Sequence, residues 1–213
     1  MSVKPILFNT DMVRAILDGR KTVTRRKIDV DISNQFDIEV DGTVICYIDQ
    51  ATGDSHNHIN LCRYHPGDIL YVRETWHEYV KRVGKGGDCY LAEFYGYKAS
   101  VKNSEDANTP WKPSIHMPKE AARIWIKVTD VRVEKLQDIT EEQAIKEGCC
   151  TFQDKTGNGK FNDIIEFDLT ARDAFAELWN STLKKDSNCT WAHNPWVWVI
   201  EFERCEKPGQ WEE

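Results

Sequence analysis

The chain has 213 residues, an apolar fraction of 40% and a formal charge of −7, enough apolar residues for a sizeable core in one large domain or two small ones. The acidic balance excludes a broad basic surface that coats nucleic acid without specificity, and no run approaches the ~18 uncharged apolar residues of a membrane-spanning helix. Only Ile6-Leu7-Phe8 precedes Asn9, too short for a signal-peptide core, so a cytoplasmic location is expected; seven cysteines at irregular spacing, with no CxxC pair, suit reduced thiols.

Thr10-Asp11 predicts the cap of a short helix whose apolar residues Met12, Val13, Ile16 and Leu17 share one face, with Gly19 at its left-handed stop. The stretch that follows, Gly19-Arg20-Lys21-Thr22-Val23-Thr24-Arg25-Arg26-Lys27, concentrates five cations in an acidic chain. Crowded like charges lower the pKa of an amine, which makes Lys21 a candidate base or nucleophile. The alternatives are solvated strand ends, or cations held by the carbonyls and negative dipole at the end of the preceding helix. Val and Thr content from Lys21 onward predicts a strand. Phe36 to Val40 and Thr43 to Ile48 predict a hairpin on an Asp41-Gly42 turn.

His56, His58, Cys62 and His65 carry zinc-ligand atom types, but their spacing matches no common structural zinc pattern, so a polar loop is expected and no metal or cofactor is assigned. Pro66-Gly67-Asp68 forms a turn into a short strand, Ile69 to Val72, buried on both faces. That strand delivers Arg73-Glu74-Thr75-Trp76, either a pocket-lining group set or an ordinary ion pair under a tryptophan lid. Lys81-Arg82-Val83-Gly84-Lys85-Gly86-Gly87 reads as a flexible basic loop without a phosphate-loop pattern. Cys89 to Phe94 reads as a strand, and Lys98 to Pro110 as a connection. Trp111 to Pro118, fixed by prolines, is an ordered loop presenting Trp111, Ser114 and His116; a structural role is the alternative for His116.

Arg123 to Lys135 alternates Ile124, Ile126 and Val128 against Trp125, Lys127 and Thr129, then continues through Val131 and Val133, a long strand with a bend. Thr140-Glu141-Glu142-Gln143 is a capping box, and Gly148 closes a two-turn helix. Glu147 therefore falls in a last turn, where the dipole disfavours its charge. Thr170 with Asp173 caps a further helix bearing the stripe Ala171, Ala174, Phe175, Leu178 and Trp179. A central strand begins after Asn194-Pro195, with Trp196, Trp198, Ile200 and Phe202 on one face. These elements predict an α+β fold with a small barrel-like sheet. One domain is expected over residues 1–205, with loop insertions near 77–110 and 149–165 and a tail at 206–213.

Three segments carry a family resemblance: Gly19 to Arg26, Pro66 to Trp76, and the closing Trp196-Val197-Trp198-Val199-Ile200-Glu201-Phe202. They resemble the ASCH superfamily, and Trp111 to Pro118 with Asn194-Pro195-Trp196 resembles its longer phage- and prophage-encoded members. The resemblance implies a PUA-like β-barrel with flanking helices. A compact branch of the superfamily removes the acetyl group of 4-acetylcytidine with a lysine and a threonine of a GxKxxT segment and a glutamate of a later helix. On this chain those positions are Lys21, Thr24 and Glu147. The implied substrate contacts are Arg20, Arg25, Arg26, Arg73, Glu74, Tyr71, Trp76, Trp111, Ser114 and His116, the aromatics by stacking on a pyrimidine. The resemblance also admits a non-catalytic module binding RNA or a modified nucleotide, and a nuclease.

Overall fold

The computed structural model describes residues 2–39, 42, 44–85, 88–100, 110–149, 170–184 and 188–209. In chain order these form β1 Val3–Leu7, α1 Thr10–Leu17, β2 Val23–Lys27, α2 Val30–Ser33, β3 Phe36–Ile38, β4 Val44–Ile48, β5 Ser55–His56 and β6 Ile69–Arg73. There follow β7 Trp76–Val83, β8 Tyr90–Tyr97, β9 Trp125–Lys135, α3 Glu141–Lys146, α4 Ala171–Ser181 and β10 Trp196–Cys205, with short 3-10 turns between. The content is mixed α+β, mostly strands with few helices, and the strand orders are linear. Among the described residues no helix is long and apolar enough to cross a membrane. Contacts divide the chain into two compact units, residues 1–18, 68–127 and 204–213 in one, and 19–67 and 128–203 in the other.

In the first unit β1 pairs in parallel with β6, and β6 pairs antiparallel with the first residues of β9. Pro5, which has no N–H to give a ladder, sits opposite Tyr71 on the outer strand, where a missing donor is tolerated. Helix α1 is capped by Asn9, whose side chain accepts from the Met12 N–H at 2.8 Å. Thr10 and Asp11, expected as the cap, lie inside the first turn, because Asn9 rather than either of them takes the extended backbone of a cap. Ile69, Trp76, Met117, Ala121, Ala122 and Trp125 form a buried cluster.

The strand expected at Cys89 to Phe94 forms as β8, and its partner β7 was not foreseen: the two pair antiparallel over eight positions, from Trp76 opposite Tyr97 to Val83 opposite Tyr90. Lys81, Arg82 and Val83, read from sequence as loop, thus belong to a strand. The outer half of the ribbon is exposed on both faces, so burial imposes no two-residue alternation on its sequence.

In the second unit β10 pairs antiparallel with β2, setting Thr24 opposite Ile200, Arg25 opposite Val199 and Arg26 opposite Trp198. The other neighbour of β10 is β9, which makes β10 the central strand expected. Burial along β9 changes parity between Val128 and Val131. The β3–β4 hairpin forms with a bulge after Asp37; Gly42 takes φ +90, while Val40, Asp41 and Thr43 lie outside the described residues. The expected insertion at 149–165 lies outside them too, save Cys149, as do residues 210–213 of the expected tail.

The predicted capping box of α3 is present, and the predicted Thr170 cap of α4 proves to be a second one. Thr140 and Gln143 close the N-terminus of α3, and Thr170 and Asp173 that of α4. Glu141 also accepts from the Ala171 and Arg172 N–H groups at 2.6 and 3.1 Å, so a carboxylate on α3 caps α4 and fixes the two helices together. The α4 stripe, through Ala171, Phe175 and Trp179, packs on Val23, Leu136, Ile139, Ala144, Val197 and Val199.

Candidate active site

The candidate site lies in the second unit, where β2 meets the C-terminal end of α3. After Gly19, at φ +74, the chain does not enter a strand at once; β2 begins at Val23. The strand expected from Lys21 therefore starts two residues later. Thr22 instead gives its N–H to the Lys146 carbonyl at 2.9 Å and accepts from the Phe202 N–H at 2.9 Å. Lys21 is thereby released from strand parity and its side chain turns to α3.

The Lys21 ammonium donates to the Val23 carbonyl at 2.8 Å, the Glu147 carbonyl at 2.8 Å and Glu147 Oε2 at 2.5 Å. An ammonium has three N–H donors and these acceptors match that number. The Glu147 carbonyl belongs to the end of α3, where backbone acceptors lack helical partners, and Arg20 likewise donates to the Gly148 carbonyl at 3.1 Å. Sequence had offered the end of α1 as the holder of these two cations; the end of α3 supplies a carbonyl to each of them. Gly148, at φ +93, supplies the left-handed turn that exposes those carbonyls.

Glu147 is shared. Its Oε2 faces Lys21 and its Oε1 accepts from Arg25 Nη1 at 3.3 Å. Arg25 Nη2 also donates to Glu134 Oε2 and Gln143 Oε1, both at 3.0 Å. Glu134 in turn bonds Arg132, which reaches Glu201, each at 2.5 Å. Lys21 and Arg25 have side-chain exposures of 0%, Glu147 of 2% and Glu134 of 19%, so the network runs from a sealed centre outward. Thr24 is buried too, but it adjoins Arg25 in β2, and alternation along the strand sets its side chain on the opposite face.

Burial lowers the pKa of Lys21 from the ordinary lysine value; the charge and hydrogen bond of Glu147 oppose that shift, and the positive charge of Arg26 adds to it. Arg26 is itself lowered by burial, with Tyr64 and Glu147 opposing. Burial also raises the Tyr64 hydroxyl. Lys21 thus has the environment of a group that gives up its proton more readily than an exposed lysine.

The remaining sequence-derived residues lie in the first unit. Glu74, 1% exposed, receives a two-pronged bond from Arg123, Nε to Oε1 at 2.8 Å and Nη2 to Oε2 at 2.9 Å, and the Arg123 guanidinium covers the Tyr97 ring at 4.1 Å. The sequence paired Glu74 with its neighbour Arg73, whereas the structure gives it Arg123. Arg73 donates to the Met117 carbonyl at 2.7 Å. Tyr71 tilts against Trp125, and Trp76 against Tyr95 with the Lys112 ammonium over its ring at 4.8 Å. Trp111 stacks on the buried His77 ring at 4.4 Å. Ser114 and His116 form a short 3-10 turn, Ser114 half-buried and His116 exposed.

Sequence reasoning missed Glu134, Gln143, Arg123 and His77. Glu134 sits 109 residues from Arg25 and Arg123 sits 49 from Glu74, so no local pattern joins them. Gln143 was visible as a cap residue, but its carboxamide oxygen serves both the Thr140 N–H and Arg25. Among the described residues no group of three His, Cys, Asp or Glu side chains converges as a metal site. No family model, no curated protein and no solved structure matches the chain.

Proposed function

We propose that this protein is an amidohydrolase acting on an acylated cytidine nucleoside, on an ASCH-type, PUA-like framework. The observation that carries the reading is the Lys21–Glu147 pair, 2.5 Å apart and shielded from water, in the GxKxxT segment where the family resemblance assigns a catalytic lysine. Lys21 passes a proton to the Glu147 carboxylate and becomes a neutral amine. That amine takes a proton from a water, and the resulting hydroxide adds to the acyl carbon. The exocyclic nitrogen takes the proton from Glu147 as the C–N bond breaks, leaving a carboxylic acid and cytidine. Exclusion of bulk water strengthens each of these charge interactions.

The test is incubation of the full chain with 4-acetylcytidine, following cytidine release. Turnover that is lost in Lys21→Ala and in Glu147→Gln supports the reading; no turnover, or turnover unchanged in Lys21→Ala, overturns it. The second reading is a module that holds a nucleoside or RNA without turning it over. It is supported by the exposed cations Arg20 and Lys27 and is read out as binding of short RNA with a steep salt slope, retained in Thr24→Ala.

A further inference from the structure

The sequence placed Arg25 among the substrate contacts, yet its side chain is fully buried and its Nη donors face Glu147, Glu134 and Gln143. Arg25 Nε is buried and, among the described residues, has no hydrogen-bond partner, and the guanidinium lies over the Phe175 ring at 5.8 Å. Leaving a buried donor unmatched opposes stability, so the placement of this guanidinium follows its carboxylate and amide acceptors at the expense of its own full pairing. Buried ion pairs often contribute little net stability compared with an apolar replacement, which directs attention to what this one orients.

We propose that Arg25 is a positioning residue, holding the Glu147 carboxylate against the Lys21 ammonium while Glu134 and Gln143 hold Arg25. Lys21 and Arg25 take opposite oxygens of one carboxylate, so the carboxylate is clamped in the orientation that gives Oε2 to Lys21. Gln143 fastens the clamp to the first turn of α3, whose last residue is followed by Glu147, and Glu134 fastens it to β9. The charged groups around the clamp are Lys21, Arg26 and Arg132, with Cys149 acting on Lys21 from beyond the helix end. The catalytic meaning of this clamp rests on the hydrolase reading; its geometric meaning does not.

Two measurements separate them. In the deacetylation assay Arg25→Gln is expected to lower kcat about 10²-fold, the loss typical of a misplaced reacting group, with KM nearly unchanged, and Arg25→Lys to restore part of it. Glu134→Gln, at a part-exposed position outside the pair, is expected to act in the same direction more weakly, and it serves if Arg25→Gln fails to fold. In 15N-labelled protein the hydrogen-bonded Lys21 ammonium is expected to give a slowly exchanging NMR signal, lost selectively in Arg25→Gln and weakened in Glu134→Gln. An unchanged Lys21 signal in both variants overturns the clamp. A changed KM with unchanged kcat overturns it in favour of substrate contact. Absence of wild-type turnover defeats the hydrolase reading alone, because the Lys21 signal still tests the clamp.

Discussion

At the scale of single residues, Glu147 is held by two cations and each depends on it. Removing one partner of a buried pair leaves a charge without compensation, a cost of ~3–5 kcal/mol, whereas replacing both with apolar side chains costs far less. Glu147→Gln is therefore expected to destabilise strongly in chemical denaturation, and Lys21→Met combined with Glu147→Leu to recover part of the loss, the rest belonging to Arg25, which also loses Glu147. The pH dependence has a definite sign. The folded state lowers the Lys21 pKa below its ordinary 10.5, chiefly by burial, so between the two values the unfolded chain binds more protons. The stability of the wild type relative to Lys21→Met should rise with pH through that interval and be lowest beneath it; a flat difference would contradict the assignment. A further residue-scale constraint sits in the β7–β8 ribbon. A Cβ on Gly96 would come within 2.0 Å of His77 Nε2, and the His77 ring is stacked against Trp111. Gly96→Ala is expected to cost about 1–3 kcal/mol through overpacking, with the penalty relieved by His77→Ala.

At the scale of elements, α3 joins a local signal to a distant one. Thr140→Ala removes only a cap, about 1 kcal/mol in a thermal or denaturant titration, while Gln143→Ala also strips an acceptor from Arg25 and is expected to cost more. The capping boxes of α3 and α4 were legible because all their participants lie within four residues. The central strand β10 was legible because its apolar run is long enough to need cover on both faces. The tip of β7–β8 was not, since exposure on both faces leaves no periodic imprint. The cap of α1 was misplaced by a residue because Asn9, Thr10 and Asp11 are all competent caps, and only the backbone angles choose among them.

At the scale of the molecule, the acidic composition and the mixed strand-rich architecture agree, and one surface stands apart. Among the described residues no strand lies on the outer side of β8, where Tyr90 and Leu91 are 61% and 70% exposed. An uncovered apolar edge is a template for intermolecular pairing. Leu91→Lys is expected to reduce concentration-dependent scattering relative to wild type, and unchanged scattering would show that this edge is not the sticky one. Sequence by itself determined the caps of α3 and α4, the central strand, the glycine stop before Lys21 and the candidacy of Lys21, Thr24 and Glu147, because these rest on short-range backbone chemistry and on motif likeness. Only the tertiary structure decided that Lys21 caps α3, that Arg25 faces Glu147, Glu134 and Gln143, and that Glu74 belongs to Arg123. Those partners lie tens to more than a hundred residues apart, and a charge buried by folding takes its meaning from whatever the fold sets against it.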